Sequence, residues 1–330
     1  MIVTLTPNPS VDRTVEVDAL VRGSVSRATG GRVDAGGKGI NIAGALAAHG
    51  HVSIAVLPSG GWEGAQLAHM LEQEGIASVE VKIAGSIRAN VTIAEPDGTI
   101  TKLNEPGPPL APAEIEALIQ ATIDTAVGAE WVVGCGSLPP GPADDFYALL
   151  VDRLARSNTR VAIDTSGQAL LKCLSAGPDV IKPNLDELSE ASRRSVPTLG
   201  DALDVANELR EQGAGSVLAS LGPHGALYVD DEHALHAEAA VDRPRSAVGA
   251  GDALLAGFLA HRGRGPEALA SGVAWAAAAV SLPGSRMPGP NDVDMSAVRL
   301  HDRIDLDRSL NSDTRSYRNS GEKETRGRHE

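Results

Sequence analysis

The chain has 330 residues, of which 42% are hydrophobic, and it can bury a large core, in one large domain or in two smaller ones. A formal net charge of −14 disfavours nucleic acid and anionic membranes as partners, since both are polyanions. The two cysteines lack zinc-site or disulfide spacing, and no secretory leader or membrane span is recognisable, so we expect a cytoplasmic protein.

Strands and helices alternate along most of the chain. Apolar strands are predicted at residues 2–6, 52–57, 130–135, 159–166, 179–184 and 216–221, and early helices at residues 39–50 and 63–75. Strands that lack polar positions and alternate with helices are typical of a parallel sheet covered on both faces. The sequence therefore predicts an α/β fold.

Two regions interrupt this alternation. Residues 10–35 carry short strand-like pieces without a helix, and residues 86–105 contain a hairpin pattern that turns at Asp97 and Gly98. We expect both regions to form a small β-layer, the β-lid, which projects from the main sheet. Such a layer can cover a substrate or pair with a second subunit.

The chain shows no internal repeat and no linker rich in Pro, Gly and Ser. We therefore predict one domain over residues 1–300, followed by a charged tail over residues 301–330. The last twenty residues contain no aliphatic side chain and cannot build a core, so this tail is expected to be disordered.

The first candidate site is the glycine loop "DAGGKG" at residues 34–39, which precedes a predicted helix. Glycines let backbone approach a ligand closely, and the helix N-terminus with Lys38 favours an anion. Asn41 adds an amide suited to sugar hydroxyls. A P-loop is excluded, because Arg32 and Gly39 occupy the positions of its first glycine and its Ser or Thr. An ordinary turn with a surface lysine remains the alternative.

The second candidate site is "VGAGD" at residues 248–252, at the start of another predicted helix. Backbone N–H groups there can stabilise charge on a phosphoryl oxygen, and Asp252 can act as a general base for a hydroxyl. A structural Asp near a helix N-terminus is the alternative. The dinucleotide pattern GxGxxG is not matched, because Leu254 stands at its third glycine.

Two further motifs follow predicted strands, where open α/β sheets bind ligands. In "IKPNLDEL", Asn184 and Glu187 can hold a hydrated magnesium ion, or they can form a helix capping box. In "SLGPHGAL", Gly222 and Gly225 allow a flat ligand or phosphates to lie against the backbone, or they mark a plain hairpin turn.

Taken in chain order, seven motifs resemble the PfkB branch of the ribokinase-like carbohydrate kinases over about residues 1–295. They are "LTPNPSVD", "GGKGINIA", "GSLPPG", "DTSGQAL", "IKPNLDEL", "SLGPHGAL" and "VGAGD". The pattern is most similar to the 1-phosphofructokinase and tagatose-6-phosphate kinase group. The resemblance implies a three-layer α/β/α sandwich with a mainly parallel central sheet and a β-lid that forms a homodimer.

The resemblance also implies an activity, which is transfer of the ATP γ-phosphoryl group to a phosphorylated ketohexose, with Mg²⁺. It makes Asp252 the base and Gly249, Ala250 and Gly251 the anion hole. The implied substrate-binding residues are Asp12, Arg27, Gly37, Lys38, Asn41, Arg88, Asn90 and Ser137. The implied nucleotide-binding residues are Lys182, Asn184, Glu187, Ser220, Gly222, Gly225 and Ser246, with Asn184 and Glu187 reaching the metal through water.

Three positions depart from the family pattern: Ile87 and Ala247 replace threonines, and Gly44 replaces an arginine. The resemblance also bears on the substrate: family members that use fructose 6-phosphate often lack the lysine of the glycine loop, so Lys38 favours fructose 1-phosphate or tagatose 6-phosphate. A non-catalytic sugar-phosphate sensor is disfavoured because it has no need of Asp252, and a kinase for a neutral sugar would leave two cations unpaired. Hydrolase motifs such as GxSxG and HExxH are missing.

Overall fold

The structure is a computed structural model that describes residues 1–311. Its strands are β1 (Ile2–Leu5), β2 (Ser10–Val17), β3 (Ala28–Gly36), β4 (Ser53–Ser59), β5 (Ser78–Lys82), β6 (Arg88–Ala94), β7 (Ile100–Leu103), β8 (Trp131–Cys135), β9 (Arg160–Asp164), β10 (Val180–Ile181), β11 (Val217–Ser220), β12 (Ala226–Val229), β13 (Ala234–Ala239) and β14 (Val298–Leu300). Its helices are α1 (Lys38–Ala48), α2 (Gly61–Gln73), α3 (Pro112–Thr125), α4 (Phe146–Leu154), α5 (Gly167–Leu174), α6 (Leu185–Ser192), α7 (Leu199–Glu211), α8 (Ala250–Ala260) and α9 (Gly265–Val280).

Ten strands form the main sheet in the order β14-β13-β12-β11-β10-β9-β8-β1-β4-β5. Pairing is parallel from β11 to β5 and antiparallel from β11 to β14, which confirms the predicted α/β fold with a mainly parallel sheet. Strand β10 is shorter than predicted. It ends at Ile181 because Pro183 lacks an N–H donor and Asn184 already caps helix α6.

Helices cover both faces of this sheet. One face packs against α3 to α7 through side chains such as Leu118, Leu150 and Val205. The other packs against α1, α8 and α9, where small residues allow close approach. At Gly257 an added methyl group would lie 2.8 Å from the Trp275 ring, so glycine is needed for α8 and α9 to pack this closely. The central sheet therefore forms the middle of three layers.

The β-lid is a separate four-stranded sheet in the order β3-β2-β6-β7. Strands β6 and β7 form the predicted hairpin, and Gly98 adopts a φ of 89° at its turn. Strand β2 pairs in parallel with β6, so that Asp12 lies opposite Asn90. The lid packs on α1 and α2 through a small cluster that includes Val11 and Ile87.

The C-terminal segment, residues 298–310, continues beyond the boundary predicted at residue 300. Strand β14 pairs with β13, and the chain then runs to the start of α7, where the Leu310 side chain is buried. The Leu310 N–H donates to the backbone oxygen of Pro197 at 2.8 Å. Residues 312–330 of the predicted tail lie outside the described residues. Within residues 1–311, no helix is both long enough and apolar enough to cross a membrane.

Candidate active site

Two helix N-termini face each other near the carboxyl ends of the parallel strands. Helix α1 starts after Gly37, with a φ of 141°, and α8 starts after Gly249, with a φ of 80°. Residues other than glycine rarely adopt such φ values, because their Cβ atom would clash with the backbone, and this explains the glycines at both positions. The first N–H groups of each helix have no acceptor inside the helix, so both ends can bind an anion.

Asp252 lies in the first turn of α8 and is almost fully buried. Asn41 Nδ2, in α1, donates to Asp252 Oδ2 at 2.7 Å, and this contact joins the two predicted anion-binding motifs. Burial, reinforced by the Asp164 carboxylate, raises the pKa of Asp252 to about 6. A buried carboxylate with this pKa is ionised at neutral pH and suited to accept a proton from a hydroxyl.

Asp164 lies in the candidate site, and no role was predicted for it from the sequence. It ends strand β9 and is completely buried. Lys38 Nζ donates to its Oδ1 at 2.7 Å, and Lys182 Nζ lies 3.2 Å from its Oδ2. The signal in the sequence was a single acidic residue at the carboxyl end of the apolar strand "RVAID".

The two lysines determine the charge state of Asp164. Burial would raise the pKa of this carboxyl, but Lys182 and Lys38 outweigh burial and lower the pKa. Burial likewise opposes the charge on Lys38, yet the nearby carboxylates, Asp164 first among them, raise the pKa of Lys38. Two ammonium groups thus share one buried carboxylate, and Asp164 neutralises part of the cationic charge expected around Lys38.

Asp12 faces the glycine loop from the lid. Ser10 Oγ donates to Asp12 Oδ1 at 2.6 Å, and Asn90 Nδ2 donates to the same oxygen at 2.9 Å. A methyl group on Gly36 would lie 2.6 Å from the Asp12 carboxylate. Asn90 therefore holds Asp12, a contact that the motif pattern did not show, and Gly36 is needed for Asp12 to approach the loop.

Arg88 reaches back from β6 over the end of β1. Its guanidinium donates to the backbone oxygen of Asn8 from Nη2 at 3.0 Å and to that of Glu105 from Nη1 at 3.2 Å. No carboxylate lies within ion-pair distance of Arg88 in residues 1–311. Burial lowers the pKa of Arg88, and Asp12 and Glu105 oppose this effect. Backbone contacts therefore orient a cation whose charge remains available for an anionic ligand.

Ser137 follows β8 and contacts Asn8, which follows β1. Asn8 Nδ2 donates to Ser137 Oγ at 3.3 Å and to the backbone oxygen of Pro106 at 3.0 Å. Asn8 Oδ1 is buried and has no hydrogen-bond partner among the described residues. Asn8 thus links the end of the sheet to the chain that leaves the lid, and no role had been predicted for it.

Asn184 and Glu187 form a capping box, the structural alternative predicted from the sequence. Asn184 Oδ1 accepts from the Glu187 N–H at 2.9 Å, and Glu187 Oε2 accepts from the Asn184 N–H at 2.8 Å. Glu187 Oε1 takes part in no hydrogen bond within residues 1–311. The half-buried Glu187 carboxylate therefore fits a hydrated magnesium ion, although the described residues contain no cluster of three or more metal-ligating acids, histidines or cysteines.

The 220–225 turn lies beside this capping box, because Ser220 pairs with Asn184 in an isolated bridge. Residues Gly222–His224 form a short 3₁₀ helix, and Gly225 has a φ of 83°. A methyl group on Gly225 would collide with the backbone oxygen of Ala237. The turn belongs to the β11–β12 hairpin, as the structural alternative predicted, and exposes Gly222 next to the capping box.

The remaining predicted positions lie farther from these contacts. Ser246 Oγ accepts from the Val248 N–H at 3.2 Å and orders the chain before Gly249. Arg27 is exposed at the edge of the lid, and its side chain forms no hydrogen bond or ion pair within residues 1–311. Ile87 is buried in the lid cluster, so this departure from the family pattern serves packing.

A buried carboxylate between two helix N-termini, nearby cationic groups and a projecting β-layer are features suited to phosphoryl transfer to a hydroxyl. On a mainly parallel sheet with a projecting β-layer, they define a sugar kinase of the ribokinase-like class. The pfkB family carbohydrate kinase model matches residues 5–292, and the chain belongs to this family. It is an ATP-dependent sugar-phosphate kinase.

Three similar proteins support this assignment. The chain is 40% identical to a 1-phosphofructokinase of Haloferax volcanii, over 89% of this chain and 95% of the relative. It is 36% identical to the ATP-dependent 6-phosphofructokinase isozyme 2 of Mycobacterium tuberculosis, over 89% of this chain and 88% of the relative. The crystal structure of phosphofructokinase-2 from Escherichia coli superimposes with a TM-score of 0.82 at 31% identity, covering 88% and 96% of the two chains.

Proposed function

We propose that this kinase transfers the γ-phosphoryl group of ATP to fructose 1-phosphate and forms fructose 1,6-bisphosphate. The observation that carries the proposal is Lys38, whose ammonium is partly exposed in the glycine loop and held by Asp164. This cation suits a phosphorylated substrate that reaches the loop. The similarity to a 1-phosphofructokinase of Haloferax volcanii supports the same substrate. The similarity to a 6-phosphofructokinase isozyme makes fructose 6-phosphate the second candidate.

In the proposed reaction, Asp252 accepts the proton of the attacking hydroxyl. The amide of Asn41 orients the carboxylate through its hydrogen bond to Oδ2. The N–H groups of Gly249, Ala250 and Gly251, at the start of α8, stabilise the charge that develops on the transferred phosphoryl oxygens. Asp252 Oδ1 takes part in no hydrogen bond within residues 1–311, and we propose that this oxygen accepts the hydroxyl proton.

Substrate binding is proposed to use the lid. Asp12, held by Asn90 and Ser10, accepts hydrogen bonds from sugar hydroxyls, and Arg88 binds the substrate phosphate. We propose that Glu187 holds magnesium through water, and the metal would neutralise charge on the ATP phosphates. The 220–225 turn and Lys182 are proposed to contact the nucleotide.

We further propose that the lid pairs with the lid of a second copy of this chain. Its strands and their connections expose large apolar side chains: Leu20, Val21, Val25, Ile100 and Leu103. A set of exposed apolar residues on one small sheet is typical of a contact surface. In such a dimer, the exposed Arg27 would contribute to the partner's site. Sedimentation of the full chain tests this proposal, and a monomer at all concentrations would contradict it.

The experiment that tests the proposed function measures Mg²⁺-dependent ADP release from ATP. Fructose 1-phosphate, fructose 6-phosphate, tagatose 6-phosphate and free fructose are supplied separately. We expect the highest kcat/KM with fructose 1-phosphate and almost no activity with free fructose. Higher kcat/KM with fructose 6-phosphate would replace the proposed substrate. Thermal stabilisation by one sugar phosphate without turnover would indicate a sensor.

Replacing Arg88 with alanine should raise the KM for the sugar phosphate by about 10- to 100-fold, the effect of losing charge-assisted hydrogen bonds to a phosphate. The KM for ATP should stay within about twofold, because the proposed nucleotide contacts lie on other elements. Steady-state kinetics with each substrate varied in turn measure both constants. Arg13→Ala, an exposed lid arginine, is the matched control. A change in the ATP constant alone would contradict the assignment of Arg88.

A further inference from the structure

A buried histidine, His236, forms a hydrogen bond to the 220–225 turn. His236 lies on β13 and is 1% exposed. Its Nε2 lies 2.8 Å from the backbone oxygen of His224, the last residue of the 3₁₀ helix in the turn. Because a carbonyl oxygen only accepts, the Nε2–H of His236 must be the donor, and this assigns the tautomer of the ring.

This tether is the single side-chain hydrogen bond that the turn receives within residues 1–311. Ser220 N–H, at the start of the turn, donates to the backbone oxygen of Pro183 at 3.0 Å. The remaining bonds are backbone contacts within the turn, such as His224 N–H to Leu221 O at 3.2 Å and Gly225 N–H to Gly222 O at 3.1 Å. Gly222 and Pro223 are exposed on the outer side. Ser220 and the buried Leu221 fix the start of the turn, whereas residues 222–225 form their other hydrogen bonds within the turn. The His236 contact therefore matters for where the 3₁₀ helix lies.

The C-terminal segment holds His236 in place. His301 stacks on the His236 ring with centroids 4.7 Å apart, and its N–H donates to the backbone oxygen of His236 at 3.0 Å. Glu238, two residues along β13, accepts from His301 Nε2 at 2.9 Å and pairs with Arg308. His301 and Arg308 lie beyond residues 5–292, which match the family model.

The far end of the segment is anchored independently. The Leu199 N–H at the start of α7 donates to the backbone oxygen of Arg308 at 2.9 Å, and Leu310 is buried next to it. The segment is therefore fixed at β13 and at α7, and the stacked rings and the ion pair lie between these two anchors. Contacts run without a break from Leu310 through Arg308 and Glu238 to the His301–His236 stack.

We propose that His236 is a positioning residue, which orients the nucleotide by holding the 220–225 turn in place. We propose also that the C-terminal segment braces His236. This inference rests on the proposal that the turn binds ATP. His236 touches no reacting atom, so its loss should weaken nucleotide binding and leave the chemical step unchanged. The sugar phosphate binds at the lid and the glycine loop, so its binding should also be unaffected.

The test uses three variants of the full chain. His236→Leu removes the donor, His236→Gln replaces it with a neutral amide donor, and Arg264→Ala is the matched control. Arg264 pairs with Asp230 at the opposite end of the same β12–β13 hairpin, with Nε 3.1 Å from Oδ2. The control therefore weakens the hairpin without touching the turn. Calorimetric titration with ADP and steady-state kinetics are the measurements.

For His236→Leu we expect the Kd for ADP and the KM for ATP to rise by about 3- to 10-fold, the effect of one lost hydrogen bond. The kcat and the KM for the sugar phosphate should not change. His236→Gln should recover part of the loss, and Arg264→Ala should lower Tm without moving either nucleotide constant. A folded His236→Leu protein with wild-type nucleotide constants would overturn the inference.

Arg308→Ala covers the case in which His236→Leu fails to fold. This substitution removes the partner of Glu238 and leaves the core of β13 unchanged, so we expect a smaller rise in the KM for ATP. An unchanged KM for ATP would contradict the proposal that the C-terminal segment braces His236. The wild-type titration separates the two proposals. If wild-type protein does not bind ADP, the proposed function fails together with this inference; if all variants bind it equally, only the inference fails.

Discussion

Asp252→Asn should reduce kcat by at least ~10²-fold, the effect expected when a positioned general base is lost. Asparagine has nearly the same shape, so the first turn of α8 and the bound nucleotide should be retained. The Kd for ADP is therefore expected to stay within about threefold of wild type. Pre-steady-state ADP formation and ADP titration test this prediction. A variant with near-normal turnover would exclude Asp252 as the base.

The acid side of the pH profile provides a second readout of the same residue. Burial and the Asp164 carboxylate raise the pKa of Asp252 to about 6, and only the ionised form accepts a proton. Activity should therefore be full above about pH 7 and fall about tenfold per pH unit below pH 6. An ordinary exposed aspartate would lose activity only near pH 4. Asp252→Asn should abolish this acid limb of the profile.

Asn41→Ala is the matched variant for the pH experiment. The hydrogen bond from Asn41 Nδ2 stabilises the ionised carboxylate and so lowers the pKa of Asp252 against the effect of burial. Its loss should move the acid limb to higher pH while retaining the base. An acid limb that stays in place would show that another group determines it.

Asp164→Asn should destabilise the fold by about 3–5 kcal/mol, because it leaves buried ammonium groups without their counter-charge. Lys182 carries most of this cost, since its side chain is 4% exposed, whereas that of Lys38 is 35% exposed. Turnover should fall as well, by ~10²-fold, because both lysines lose the group that orients them in the site. Urea unfolding and steady-state kinetics measure the two effects.

The double variant Asp164→Asn, Lys182→Met is the control for this prediction. It removes the most deeply buried unpaired charge together with its partner and should recover a large part of the lost stability. Turnover should not recover. A single variant that costs less than about 1 kcal/mol would contradict a tightly held buried pair.

The stability that Asp164 contributes also has a defined pH dependence. The lysines lower the pKa of Asp164 below its ordinary value of 3.8, so the contribution is present above that value and is lost as pH falls through the lowered pKa. The contribution of Asp164 to wild-type stability should therefore stay constant between pH 5 and 8. Acid unfolding should begin at higher pH in Asp164→Asn than in the wild-type protein.

Local features of the sequence predicted the elements and most of the chemical groups of the site. Apolar periodicity identified the alternating strands and helices, since a residue's neighbours along the chain determine which face it presents. Gly37 and Gly249, whose φ values are positive, indicated where the two helices that follow them begin. The family motifs predicted that Asp252, Lys38 and Arg88 belong to one site.

Tertiary structure alone decided which of these groups touch. Asn41 and Asp252 are 211 positions apart, and Lys38 and Asp164 are 126 apart, so their contacts depend on sheet order and helix packing. Burial then determined the charges, because the pKa of Asp252 rises and that of Asp164 falls within one cluster. The support of the 220–225 turn by His236 likewise follows from strand pairing. Such long-range packing leaves no periodic or local signal in the sequence. For this reason the sequence predicted the individual groups of the site, and the fold determined how they are arranged.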